Sequence, residues 1–450
     1  MASLKNIAIY GFGKEGISAA NYLGKTANIS IIEDRVENEI DKSNFKKLKI
    51  KNAQLYFGKN FPKDHKFDLL VRSPGFRPDH PKITHFTNKK VQLTSPTNIF
   101  FENCKAPIIG VTGTKGKGTT VSLIFDLLKT QNSSVFLAGN IGTPMLEILP
   151  LLSAKSLVVL ELSSFQLIDL KYSPHIAVVL MVTSEHLDWH KNQNEYLLAK
   201  KSIVKFQHKK DYAVINSDFE LSKKYALETK ARIYYYSVNK KTNGVYVEKN
   251  YIYSQIGNFG KICDTSKILL PGAHNLQNVA AAVSVAKILK INKNNMVKTL
   301  AHFKGLKHRL QLFREFRGVK YYNDSYSTIP ETTLAAVEAI KTTKILILGG
   351  SSKHSDFSRL TNKIISDRSI KALILIGQEA SRIRESIGKS KQFKGIIVEN
   401  LKTMRQIVVK VAQIAKKGDA VILSPACASF DMFKNYEDRG QQFIEEVDKL

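Results

Sequence analysis

Acidic residues and cysteines are scarce in this 450-residue chain. Asp and Glu number 39 against 68 Lys and Arg, a formal charge of +29. An excess of that size makes a nucleic acid the first partner class to weigh. The lysines are scattered through every segment, with no long basic block and no stripe interleaved with aromatics. No nucleic-acid partner is therefore expected, and the preferred reading is a Lys-rich solvated surface that attracts phosphorylated substrates. The three cysteines, Cys104, Cys263 and Cys427, lie far apart without a C-x-x-C pair. That argues against a disulfide framework or a zinc site and fits a reducing compartment. No apolar run approaches the ~18 residues that cross a bilayer. The opening Met-Ala-Ser-Leu-Lys-Asn runs into a strand rather than a signal-peptide core. A cytoplasmic protein without membrane insertion is expected. With 43% hydrophobic and 24% charged residues the composition is globular, and the length exceeds one core, so three domains are expected.

What the chain does have is glycine at strand ends. Ile108-Ile-Gly-Val-Thr-Gly-Thr-Lys-Gly-Lys-Gly-Thr-Thr120 reads as an apolar strand, a glycine-rich turn and a helix start. Gly110, Gly113, Gly116 and Gly118 let backbone N–H groups curl round an anion, Lys117 adds charge, and the helix dipole points inward. A nucleoside triphosphate site is expected. The match to G-x-x-x-x-G-K-[ST] is imperfect, because Val111 stands at the first glycine and Gly118 where a hydroxyl holds Mg²⁺. Thr119 supplies the next hydroxyl and Thr120 the one after it, and the choice between them as the Mg²⁺ ligand stays open on the residues alone. A second turn, Gly11-Phe-Gly13-Lys-Glu-Gly16, matches G-x-G-x-x-G, with Glu33 and Asp34 about 20 residues on, where an acid meets a ribose. It suits a structural turn, a dinucleotide or the phosphates of another nucleotide, so a nicotinamide-dependent oxidoreductase stays open as an alternative.

The pattern predicts an α/β protein. Residues 1–97 read as a Rossmann-like parallel sheet, ending in the turn Arg72-Ser73-Pro74-Gly75 after a strand at Asp68–Val71. Residues 98–302 read as a P-loop ATPase-like domain, with buried strands at Ser156–Leu162 and Ile176–Val182, a small antiparallel patch between about Lys209 and Leu270, and a helix at Asn275–Lys290. Residues 303–450 read as a second Rossmann-like unit, with strands at Lys344–Leu348, Ala372–Ile376 and Ala420–Leu423.

Glu161-Leu-Ser-Ser-Phe-Gln166 sets a carboxylate at the end of an apolar strand, where a Mg²⁺ ligand belongs beside a phosphate loop. Ser184-Glu-His186-Leu-Asp188-Trp-His190 is a turn dense in His and acid, from which one histidine suits a second metal ion; zinc is disfavoured for want of a third His or a Cys. Lys200 and Lys201 follow on a helix, and the residues alone do not distinguish them from two solvated lysines.

The order of these motifs, with Gly272-Ala-His-Asn-Leu-Gln-Asn278, His308-Arg309, Asn323-Asp-Ser325 and Leu423-Ser-Pro-Ala-Cys-Ala-Ser429, resembles the Mur ligases along the whole chain. The forms Ser-Ser-Phe-Gln-Leu and Ser-Pro-Ala-Cys-Ala-Ser-Phe-Asp are those of members that add D-glutamate to UDP-N-acetylmuramoyl-L-alanine through an acyl phosphate in peptidoglycan synthesis. The resemblance implies a monomer with three domains binding UDP-sugar, ATP and amino acid in turn, using ATP, two Mg²⁺ ions and a CO₂-derived carbamate on Lys200. It assigns Lys117, Glu161, His186 and Lys200 to catalysis, the metals falling to Thr119, Glu161, His186 and carbamylated Lys200. ATP would meet Gly113, Thr114, Lys115, Gly116, Lys117, Gly118, Thr119, Thr120, Asn278, His308, Arg309 and Asp324. The UDP-sugar would meet Lys14, Glu15, Asp34, Arg35, Gly75, Asn140 and Ser163, and the incoming glutamate Thr328, Lys353, Ser429 and Tyr436.

Three departures from the family pattern stand out. Asn323-Asp-Ser-Tyr326-Ser-Thr328-Ile-Pro330 replaces the usual Asn-Asp-Ser-Lys-Ala-Thr-Asn, removing a cation at 326 and resembling variants that take L-glutamate; Lys353 and Ala-Cys-Ala-Ser favour the D-isomer. Gly118 resembles the loop of folylpolyglutamate synthases, which lack the N-terminal domain. Glu185 replaces the usual Asp at the same charge.

Overall fold

The computed structural model describes residues 5–183, 185, 189–270, 272–352, 355–388 and 393–450. The expected α/β class holds, with three parallel-rich sheets. The chain forms two compact units, Met1–Thr265 with Leu276–Thr299, and Ser266–Asn275 with Leu300–Leu450.

In the first unit, β1 (Lys5–Tyr10), β2 (Ala27–Glu33), β3 (Gln54–Phe57), β4 (Leu69–Arg72) and β5 (Gln92–Thr94) form a parallel sheet in the order β3-β2-β1-β4-β5. Strands covered on both faces read as apolar runs, and Ile7, Ala8, Ile9 and Tyr10 are all buried. β1 lies where the strand order reverses, so the turn after it and the turn after β4 share one end of the sheet. Gly16 is required there, since a Cβ on it would fall 1.9 Å from the Gly11 carbonyl oxygen.

The same unit holds a nine-stranded sheet of β6 (Ile108–Thr112), β7 (Val135–Gly139), β8 (Leu157–Glu161), β9 (Ile176–Val179), β10 (Tyr212–Asn216), β11 (Arg232–Ser237), β12 (Val245–Glu248), β13 (Tyr251–Ser254) and β14 (Gly260–Asp264). Its order is β14-β13-β12-β11-β10-β9-β6-β8-β7, parallel except at β12–β13–β14, where the expected antiparallel patch appears. The helix Lys117–Lys129 packs on β7 and β8, burying Val121, Leu123, Ile124, Leu127 and Leu128. Each such side chain is worth roughly 1.5–3 kcal/mol of transfer free energy. That burial seats the helix start against the end of β6.

In the second unit, β15 (Gln311–Phe316), β16 (Val319–Asn323), β17 (Lys344–Gly349), β18 (Ile370–Ile376), β19 (Ile396–Val398) and β20 (Ala420–Leu423) form a sheet in the order β15-β16-β20-β17-β18-β19, antiparallel only at β15–β16. Insertion of β20 between β16 and β17 gathers the turns beginning at Asp324, Ser424 and Gly350 at one edge.

Candidate active site

β6 lies between β8 and β9, with Val111 paired to Glu161 and Thr112 to Val179. This register brings the glycine turn and the Glu161 carboxylate to the same strand ends. Gly116 takes φ +88° at the N-cap of the helix Lys117–Lys129, and a Cβ on it would fall 2.3 Å from Asn278 Oδ1. The same Oδ1 accepts from Thr120 Oγ1 at 3.3 Å. Thr120 is thus engaged within the fold, whereas the buried Thr119 hydroxyl has no partner among the described residues.

Two lysines converge on one carbonyl. Lys117 Nζ donates to Gly113 O and Thr114 O, both at 3.0 Å. Lys200, on the helix Gln193–Lys205 and 1% exposed, donates from Nζ to the same Gly113 O at 3.1 Å and to Thr112 Oγ1 at 3.4 Å, over the Tyr196 ring. Burial first, then the charge of Lys117, holds its ammonium well below the ordinary lysine range, with Glu185 and Glu161 opposing. Lys201, one residue on, instead pairs with Glu228 at 2.7 Å.

Glu161 is buried; its Oε1 accepts from Asn140 Nδ2 at 3.0 Å, and its buried Oε2 has no hydrogen-bond partner among the described residues. A buried carboxylate oxygen left in this state is costly unless a ligand completes it. A hard divalent cation suits an open carboxylate oxygen of this kind. Among the described residues no three His, Cys, Asp or Glu side chains gather into a metal cluster.

Ser163 caps the short helix Ser164–Leu167 in a reciprocal capping box with Gln166. His190 is buried between Ser164 Oγ, 2.9 Å from Nε2, and Glu195, 3.3 Å from Nδ1; burial pushes its pKa down, against the pull of Glu195. Arg77 grips Glu195 through two 2.9 Å bonds and donates to Trp189 O at 2.6 Å, while Trp189 Nε1 donates to Gly75 O at 3.0 Å. Arg72, fully buried, holds Asp169 through Nε and Nη2 at 3.0 and 2.7 Å. These arginines tie the turn after β4 to the segments after β8 and β9.

At the first glycine turn, Glu33 folds inward. Its carboxylate accepts from Phe12 N at 2.9 Å and pairs with Arg35 at 3.0 Å. Asp34 accepts from Tyr10 Oη at 2.6 Å and Lys82 Nζ at 2.5 Å. Lys14 Nζ donates to Gly142 O at 2.6 Å, two residues from Asn140. The buried Glu15 Oε2 has no hydrogen-bond partner among the described residues, and burial pushes the carboxyl up to about 7.

In the second unit, Arg309 sits between two non-glycine residues of positive φ, His308 at +60° and Leu310 at +41°. Such strain persists where surrounding contacts over-determine the backbone. Here Leu310 N donates to Asp324 Oδ1 at 2.8 Å, and the buried His308 places Nδ1 3.0 Å from Asn323 Nδ2. Asp324, 3% exposed, also accepts from Ser327 and Ser424 Oγ at 2.6 Å each, and burial raises its carboxyl to about 6. Arg439 is fully buried and pairs with no carboxylate among the described residues: its guanidinium donates to Ser325 Oγ and to the carbonyls of Ser325, Cys427 and Ala428, binding the turn after β16 to the loop carrying Ser429.

Comparison with known proteins gives this arrangement a family. Residues 111–286 match the Mur ligase middle domain, and residues 308–427 match the Mur ligase, glutamate ligase domain. The chain is 36% identical over 453 residues to the UDP-N-acetylmuramoylalanine–D-glutamate ligase of Thermoanaerobacter sp. (strain X514), covering 99% of this chain and 98% of that one. It is 35% identical over 450 residues to the enzyme of the same name from Clostridioides difficile (strain 630), covering 99% of each. The chain belongs to the Mur ligase family. Two solved structures share its fold: the UDP-N-acetylmuramate-alanine ligase of Thermotoga maritima, with TM-score 0.61 at 16% identity and 99% coverage of each chain, and the MurF ligase of the same organism, with TM-score 0.57 at 19% identity and 94% coverage of each.

For this Mur ligase the structure brings Lys117, Thr119, Asn140, Glu161 and Lys200 to the carboxyl ends of β6, β7 and β8 or against the turn there. It groups His308, Arg309 and Asp324 about the end of β16. Ser429 is buried, Thr328 and Tyr436 are half-buried, and His186 and Lys353 lie outside the described residues. Sequence reading missed Arg77 and Arg439 as organising residues. Arg77, just past the Pro74-Gly75 turn, carried only the signal of a cation near a ligand crevice, and nothing local marked Arg439.

Proposed function

We propose that this Mur ligase joins D-glutamate to UDP-N-acetylmuramoyl-L-alanine, using ATP and Mg²⁺, as a cytoplasmic monomer in peptidoglycan precursor synthesis. The observation that carries this reading is the convergence of Lys117 and Lys200 on Gly113 O, beside a strand whose Glu161 retains an unpartnered oxygen. The name shared by full-length relatives supports the choice of substrates.

Mg²⁺, when bound, neutralises phosphate charge as the substrate carboxylate is activated. Lys117 contributes a second positive charge at the nucleotide phosphates, and the backbone N–H groups of the turn from Gly113 orient them. Glu161 and Thr119 would hold one metal ion, with Asn140 fixing the Glu161 carboxylate by its 3.0 Å bond, and His186 would serve the other. Lys200 would be the carbamate site: burial and the Lys117 charge lower its basicity and favour the neutral amine, whose nitrogen would bond to the carbon of CO₂ with release of a proton. The resulting carboxylate would replace repulsion of Lys117 with attraction and add hard oxygen ligands. The UDP-sugar lies along Lys14, Glu15, Asp34, Arg35, Gly75, Asn140 and Ser163, and Thr328, Lys353, Ser429 and Tyr436 receive glutamate, while Asn278, His308, Arg309 and Asp324 serve the nucleotide. Catalysis is positioning and charge neutralisation more than covalent chemistry.

Incubation with ATP, Mg²⁺, UDP-N-acetylmuramoyl-L-alanine and each glutamate enantiomer tests the reading. Phosphate release coupled to product is expected with D-glutamate only. Equal or faster release with L-glutamate, the preference suggested by Thr328-Ile-Pro-Glu331, would overturn the stereochemical assignment.

A further inference from the structure

Tyr326 occupies the position where the family pattern has lysine, and its surroundings show what replaces that cation. The ring lies under the Arg309 guanidinium at 4.4 Å and meets Tyr436 edge-on at 5.1 Å and 89°. Tyr436 in turn meets His308 edge-on at 6.3 Å and 82°. Because His308 and Arg309 are adjacent in sequence, these four side chains close a circuit. The circuit is anchored through the backbone, since Tyr326 N donates to His308 O at 2.9 Å. His308 and Leu310, on either side of Arg309, both have positive φ, and the Arg309 guanidinium rests over the Tyr326 ring. A lysine at 326 would set a second cation against Arg309; an aromatic face turns that repulsion into attraction. The Tyr326 hydroxyl has no partner among the described residues, so the ring itself makes these contacts. The side chain is 45% exposed and is not needed to fill the core.

We propose that Tyr326 is a positioning residue that orients Arg309 at the nucleotide and, through Tyr436, couples the nucleotide and glutamate sites. This rests on the assignment of Arg309 to ATP and Tyr436 to glutamate made above. Cation–π and edge-to-face contacts at a half-exposed site are each worth a few-fold in affinity.

The test compares Tyr326→Ala, Tyr326→Phe and Tyr326→Lys in steady-state turnover, with calorimetric titration of ATP into each protein. Tyr326→Ala should raise KM for ATP and for D-glutamate by about fivefold each, leaving KM for the UDP-sugar and the unfolding temperature unchanged. Tyr326→Phe should restore both constants to within twofold, and Tyr326→Lys should weaken ATP at least as much as Ala. Added to Arg309→Ala, Tyr326→Ala should cause no further loss of ATP affinity. Unchanged KM values in Tyr326→Ala, a Phe variant as impaired as Ala, or additive losses in the double variant would each overturn the proposal. Wild-type protein that binds ATP but ligates neither glutamate enantiomer would refute the functional reading instead, while the calorimetric cycle still decides the role of Tyr326.

Discussion

Lys200 and Lys344 are each 1% exposed, one on a helix beside the nine-stranded sheet and the other opening β17, yet they are buried on opposite terms. Lys344 donates to Asp367 at 3.4 Å and to Ser369 Oγ, and Lys363 approaches the same Asp367 at 3.5 Å. Lys200 has a carbonyl, a hydroxyl and a tyrosine face, and makes no ion pair among the described residues. Burial by itself therefore does not mark a reactive lysine. A buried ammonium with a carboxylate is a structural element. One facing another ammonium across a shared carbonyl is poised to lose its proton.

The largest expected effect falls on Lys200. Lys200→Ala should lower turnover by roughly 10²–10³-fold or more, while Lys201→Ala, which removes only the contact to Glu228, should leave it within about twofold. A Lys200→Ala enzyme with wild-type turnover would erase the functional side of the contrast. Next is Lys344→Met, which removes one of the two cations beside Asp367 and leaves Lys363 and Ser369 in place; it should cost about 2 kcal/mol in urea unfolding while kcat/KM barely moves. If instead activity vanished with stability intact, the structural side would be wrong. The smallest effect concerns pH. Against the cost of burial, hydrogen bonds from Ser369 and the charges of Lys344 and Lys363 bring Asp367 down to about 2 from 3.8. Its folded pKa is depressed, so its stabilisation is complete above about pH 4 and fades as pH falls toward 2. Allowing for partial exposure, the loss is about 1 kcal/mol. Asp367→Asn should flatten that component of the acid-unfolding curve, and an unchanged slope between pH 4 and 2 would show that Asp367 takes no part.

The contrast also marks how much of the site was legible. Lys117 and Glu161 could be found from their own neighbours, because a glycine turn after one apolar strand and a carboxylate ending another are local patterns. Lys200 and Lys201 could not be separated that way: adjacent lysines on one helix acquire different environments only when Gly113 and Glu228 arrive from elsewhere. Nor could the choice between Thr119 and Thr120, which depends on Asn278. Arg77 and Arg439 were illegible for the same reason, since their partners come from other strands' turns.

By itself the sequence determined the α/β class, the glycine turns and the strand-end carboxylate, since these follow from steric and hydrogen-bonding preferences acting within a few residues. Tertiary structure alone decided which ionisable side chains keep a counter-charge: which lysine loses its partner, which carboxylate oxygen stays open, and what Tyr326 does in place of a cation. Those outcomes depend on solvent exclusion and on groups far apart in the chain, and no local pattern carries either.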